Sequence, residues 1–103
     1  MNKNNFFYTS VVISILFFVP VKADQKFDLG KDIFLNNCAM CHTLADAKSS
    51  GMIGPNLNEL KPEKTIIIGA VTNGIGVMPA FEGILSSEEI ETVSYYVSKS
   101  SNQ

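Results

Sequence analysis

The sequence contains no arginine and no tryptophan. Its eight basic residues are all lysines, set against ten carboxylates. An acidic chain without a guanidinium grips phosphate poorly, so nucleic acid is excluded as a partner. Histidine occurs once, at position 42, and cysteine twice, at 38 and 41. One His and two Cys fall short of the four ligands of a structural zinc site. No alternation of period two stands out, and there is no internal repeat or low-complexity tract. Long apolar runs are also missing, with one exception at the N-terminus. Beyond that run the aromatics thin out to Phe27, Phe34, Phe81, Tyr95 and Tyr96. A domain this small with so few large apolar side chains lacks material for a core. Such domains recruit a metal, a disulfide or a cofactor as a staple.

The N-terminal run has the order of a secretory signal. Lys3 supplies a positive start, residues 6–19 are mostly apolar, Pro20 closes the run, and Val21-Lys22-Ala23 offers a cleavage site. The expected division is a signal peptide over residues 1–23 and one domain over 24–103. The alternative is an uncleaved anchor, but the run is shorter than the roughly 20 apolar residues of a spanning helix. The processed domain carries six lysines and ten carboxylates, a net charge of −4. It is expected to be a monomer, free of the membrane once processed, in the periplasm or an equivalent exported compartment.

Within that domain the patterns are helical. Phe27, Gly30, Phe34 and Cys38 recur on one face and predict a helix over about 28–37. Gly30 costs about 1 kcal/mol against Ala inside a helix. It is either a tolerated defect or the place where another helix crosses closely. Residues 43–58 read as loop, rich in Gly, Pro and Asn. A second helix is expected over about 62–72, with Pro62 in its first turn and Asn73-Gly74 as its stop. The last helix opens with a capping box, Ser86 and Glu89, flanked by Leu85 and Ile90 as a hydrophobic staple. Ile90, Val93 and Val97 then line one stripe. The fold class is all-α, three to four short helices with long loops.

The chemistry lies in Cys38-Ala39-Met40-Cys41-His42, the C-x-x-C-H pattern of c-type haem attachment. Two thiols three positions apart can each add to one vinyl group on a porphyrin edge. The adjacent imidazole then lies beneath the iron. A simple disulfide is the plainer reading for an exported pair of cysteines. A thioredoxin-like pair would follow a strand in an α/β fold, which this chain lacks. One covalent haem c accounts for the motif and for the missing core together, and the helices and loops are expected to wrap around it.

The iron's sixth position needs a second ligand or stays open. Met is the soft donor available. Met40 sits inside the attachment loop, and Met52 follows on the proximal loop. Met78 lies far enough along to pass the haem edge, in Gly74-Ile75-Gly76-Val77-Met78-Pro79-Ala80-Phe81. Two glycines allow close approach of the backbone, and Pro79 stiffens the strap. A role as a core filler is the competing reading. His42 is expected as proximal ligand and Met78 as distal ligand.

These residues, with Leu85-Ser86 and the run from Ile90 to Val97, resemble the class I c-type cytochromes, above all the small bacterial and photosynthetic c-six-like type. The resemblance covers essentially residues 29–98. It implies a cytochrome c fold with one haem held by Cys38 and Cys41. It implies that Gly30 and Phe34 meet Tyr96 where the first and last helices cross. It also implies that the Pro55 carbonyl, in Gly54-Pro55-Asn56-Leu57, accepts a hydrogen bond from the proximal imidazole, which fixes its tautomer. Without Arg or Trp, the propionate partners of mitochondrial-type members are missing, and Asn56 and backbone groups are the candidates left.

The expected function is a one-electron carrier between redox proteins, not an enzyme. The rivals are a dedicated cytochrome subunit of a periplasmic dehydrogenase, and a haem sensor or enzyme with an open sixth site. Partners are expected to present a positive or neutral docking patch, with the carboxylates Asp46, Glu59, Glu63, Glu82, Glu88, Glu89 and Glu91 as the groups that could steer the encounter and salt slowing it.

Overall fold

The computed structural model describes residues 22–103. The expected signal peptide, residues 1–23, lies almost entirely outside them. Among the described residues, four helices and one short strand pair follow in order: α1 (Ala23–Asn37), β1 (Thr43–Leu44), β2 (Ser49–Ser50), α2 (Leu57–Leu60), α3 (Lys64–Asn73) and α4 (Ser87–Ser100). The fold is mostly helical, as the patterns indicated. Among the described residues no helix is long and apolar enough to cross a membrane.

Helix α1 begins five residues ahead of the expected Asp28. Its N-cap, Lys22, makes no side-chain cap, while Asp24 stands in the first turn where the helix dipole favours a negative charge. The extra turn is held by α4. Lys26 forms an ion pair with Glu91 at 2.6 Å, and Phe27 meets Tyr96 edge-on at 4.8 Å between ring centroids. Lys64 joins the same carboxylate at 2.9 Å, so Glu91 ties α1 and α3 to α4. Hydrogen bonds from Lys26 and then Lys64 hold the Glu91 carboxyl below its ordinary range.

Gly30 is buried at the crossing of α1 and α4. A Cβ there would lie 2.5 Å from Tyr96 Cβ and 2.6 Å from the Thr92 carbonyl oxygen. No side chain fits, so the helix-propensity cost is the condition of this close crossing. Phe34, fully buried, packs on Tyr96 from the other side at 5.8 Å. The Tyr96 hydroxyl reaches out of the crossing and donates to Asp46 Oδ2 at 2.7 Å. Burial, then that bond to a carboxylate, pushes the phenol above its usual range.

Helix α4 starts as its sequence indicated. Ser86 accepts from the Glu89 amide at 3.0 Å, and Glu89 accepts from the Ser86 amide at 3.0 Å. Leu85 and Ile90 are both buried beside this box. Helix α3 starts at Lys64, so Pro62 stands just before the N-cap Glu63 rather than in the first turn. It stops at Asn73, and Gly74 follows at φ 75°.

The segment expected to be plain loop holds two small elements. Thr43–Leu44 pairs antiparallel with Ser49–Ser50 across a turn in which Lys48 takes a left-handed conformation. One turn of helix, α2, begins at Leu57, with Asn56 capping the amides of Asn58 and Glu59. Leu44 and Leu57 are buried and anchor both elements to Phe34, Ile67, Val71, Val93 and Val97 in a single core.

Candidate functional site

The end of α1 delivers the two cysteines. Cys38 is the C-cap, its amide donating to the Phe34 carbonyl at 2.8 Å. The chain then turns so that the amides of Cys41 and His42 both donate to the Cys38 carbonyl, at 3.1 and 3.0 Å. Both thiols are free and half-buried. Burial, with Cys41 beside it, pushes the Cys38 thiol up to about 12. Such a thiol is almost entirely protonated at neutral pH, which does not suit thiol–disulfide catalysis.

The loop after β2 packs against this turn. Gly51 lies on the Met40–Cys41 backbone, where a Cβ would come 2.5 Å from the Met40 carbonyl oxygen. The Gly54 amide donates to the Cys41 carbonyl at 2.8 Å. A Cβ at Gly54 would sit 2.5 Å from His42 Cε1, so glycine is what lets the backbone lie against the imidazole. Beyond it, the Pro55 carbonyl oxygen is 2.9 Å from His42 Nδ1. A carbonyl only accepts, so Nδ1 carries the proton and Nε2 keeps its lone pair. That leaves the ring in the tautomer that can ligate a metal through Nε2.

Met78 is placed by a turn rather than by an extended strap. Ile75 and Met78 exchange backbone hydrogen bonds at 3.1 and 2.9 Å, with Gly76 between them at φ 56°. The strand-like return folds onto Gly74, where a Cβ would meet the Met78 carbonyl oxygen at 2.6 Å. The Phe81 amide then donates to the Val71 carbonyl at 2.8 Å and ties the segment to α3. Met78 is half-buried against the core. Met40 and Met52 are 84% and 91% exposed.

Cys38, Cys41, His42, Pro55 and Met78 all line one cleft of about 360 Å³. The structure thus brings together every residue proposed from the sequence for the metal and its attachment. The Asn56 side-chain oxygen caps α2, which leaves its Nδ2 as the donor that a propionate would need. The remaining walls are apolar, with Ile53, Leu60, Ile66, Ile75 and Val77 all exposed around the opening. These wall residues carry no helical period across their segments, so the sequence patterns did not reveal them. All of them but Leu60 share one signal. The segments 33–45, 49–58 and 65–81 contain no Asp, Glu, Lys or Arg, and they supply nearly all of the lining.

An apolar cleft with two thiols on its wall and an imidazole whose Nε2 is left to ligate fits a haem in its donor chemistry. Comparison with known proteins agrees. Residues 25–97 match the family described as cytochrome c oxidase, cbb3-type, subunit III. Cytochrome c6 from Leptolyngbya boryana is 39% identical over 72 residues, covering 66% of this chain and 85% of that protein. Cytochrome c6 from Anabaena variabilis is 45% identical over 74 residues, covering 66% and 84%. Among solved structures, the c-type cytochrome SorU from Sinorhizobium meliloti superposes with a TM-score of 0.73 at 54% identity, covering 78% of this chain and 95% of that one. The chain belongs to the class I c-type cytochromes: it is a small monohaem electron carrier with one covalently attached haem c, works with redox-protein partners, and is not an enzyme.

Proposed function

We propose that Cys38 and Cys41 form the two thioethers to the haem, that His42 is the proximal ligand, and that Met78 is the distal one. The bound haem supplies a one-electron couple. The chain's own residues do the rest. The Pro55 carbonyl holds the His42 ring in its ligating tautomer, and the Gly74–Gly76 turn brings Met78 to the cleft. The uncharged walls exclude water and favour the less charged state of the couple. The observation that carries this reading is the shared cleft of Cys38, Cys41, His42 and Met78, with Nδ1 already committed to Pro55. The ferric holoprotein is expected to show the weak sulfur-to-iron charge-transfer band at the red end of the visible spectrum. A ferric spectrum without it, in a protein that binds CO at once when reduced, contradicts the assignment and favours the open-site sensor.

The partner's docking patch, expected to be positive or neutral, is proposed to be neutral. Every Asp, Glu and Lys of the domain lies outside the three uncharged segments that supply most of the cleft lining. Of the seven expected steering groups, Asp46 is engaged by Tyr96 and Lys31, Glu91 by Lys26 and Lys64, and Glu89 by the Ser86 amide. The carrier works as a monomer in the periplasm or an equivalent exported space, where C-x-x-C-H proteins are matured. Stopped-flow electron transfer with the physiological partner should change by less than about twofold as salt rises and the screening length shrinks from roughly 30 to 10 Å. A drop of roughly tenfold or more over that range would instead restore carboxylate steering.

A further inference from the structure

The imidazole of His42 is oriented by one carbonyl, so whatever holds that carbonyl acts on the ligand. Two hydrogen bonds join the same pair of segments here. His42 Nδ1 donates to the Pro55 carbonyl at 2.9 Å, and three residues further along each segment the Ala45 amide donates to Asn58 Oδ1 at 2.7 Å. Together they close a ring through residues 42–45 and 55–58. Upstream of Pro55 the segment is secured by the Gly54 amide on the Cys41 carbonyl. Downstream, the one side-chain hydrogen bond from 55–58 to 42–45 is that of Asn58. The Asn58 backbone is itself held, its amide donating to Asn56 Oδ1 at 3.0 Å. Below the ring, Leu44 and Leu57 are buried in the core, where apolar contact is non-directional.

We propose that Asn58 is a positioning residue for His42: by gripping Ala45 it sets how closely the Pro55 carbonyl meets the imidazole, and so how strongly the ring donates to iron. The proposal rests on His42 being the proximal ligand. A well-held Nδ1–H···O=C bond gives the ring imidazolate character, which favours ferric iron. Loosening that bond raises the reduction potential.

The test uses the intact holoprotein with Asn58→Ala and Asn58→Asp. Two quantities are read: the midpoint potential, and the solvent exchange of the His42 Nδ1 proton by NMR. Asn58→Ala should shift the potential upward and speed exchange several-fold to about tenfold, the scale of one net hydrogen bond. Asn58→Asp keeps an acceptor for the Ala45 amide and should restore slow exchange, while its added negative charge moves the potential downward. Unchanged potential and exchange in Asn58→Ala, or fast exchange in Asn58→Asp, overturns the proposal. In the wild-type ferric protein the His42 ring should carry iron-shifted resonances. Their absence overturns the ligand assignment itself, whatever the Asn58 variants do.

Discussion

Replacing Cys38 and Cys41 together by Ala is expected to leave the chain without covalent haem and largely unfolded. The reason lies in what the polypeptide buries by itself. Among the described residues the buried apolar set runs from Phe34 to Val97 and includes only two rings, Phe34 and Tyr96. Around the cleft, Ile53, Ile66, Ile75 and Val77 stay exposed until something covers them. Covering a large aliphatic side chain contributes about 1.5–3 kcal/mol, so four contribute roughly 6–12 kcal/mol. That equals the whole stability of an ordinary small domain, about 5–15 kcal/mol. Without the haem the balance turns against folding. Circular dichroism should show little helix, and haem staining of a denaturing gel should be blank. A helical double variant that melts cooperatively without haem contradicts the account.

The second large effect is expected at Met78. Met78→Ala should keep the haem attached, because Cys38, Cys41 and His42 are untouched. Its reduction potential should fall by on the order of a hundred millivolts or more, since the axial ligand is a principal control of potential. The reduced variant should also take up CO. Met52→Ala is the matched control, because Met52 is 91% exposed and should change neither property. Titration of both variants beside the wild type gives the comparison, and equal potentials in all three would remove Met78 from the iron.

The parts of the site that were legible in the sequence were short, contiguous signals. Cys38 to His42 stand in one pentapeptide, so no folding argument was needed to bring them together. Met78 was marked by Gly74, Gly76 and Pro79, although those residues build a hydrogen-bonded turn instead of an extended strap. The α4 cap was written in Ser86 and Glu89. Pro55 was reached through family resemblance, and its carbonyl lies at hydrogen-bond distance from Nδ1.

The rest depends on contacts between distant residues. The early start of α1 has no capping side chain and is held by Glu91 and Tyr96, more than sixty positions away. The strands Thr43–Leu44 and Ser49–Ser50 are too short to show a period; their register follows from Ser49 Oγ, which accepts from the Leu44 amide and donates to the His42 carbonyl. A single turn such as α2 is likewise too short for an apolar stripe. The role of Asn58 appears only when residues 45 and 58 are adjacent in space.

The measurement that bears most directly on the central claim is NMR of the ferrous holoprotein with 13C-labelled methionine methyls. The domain beyond the signal segment holds three such groups, on Met40, Met52 and Met78. A methyl next to a ligating sulfur lies over the porphyrin face, where the ring current moves its proton signal far upfield. The account predicts one strongly upfield methyl, lost in Met78→Ala and kept in Met52→Ala, with the other two at ordinary positions. Three methyls at ordinary positions, or an upfield signal that survives Met78→Ala, would contradict it.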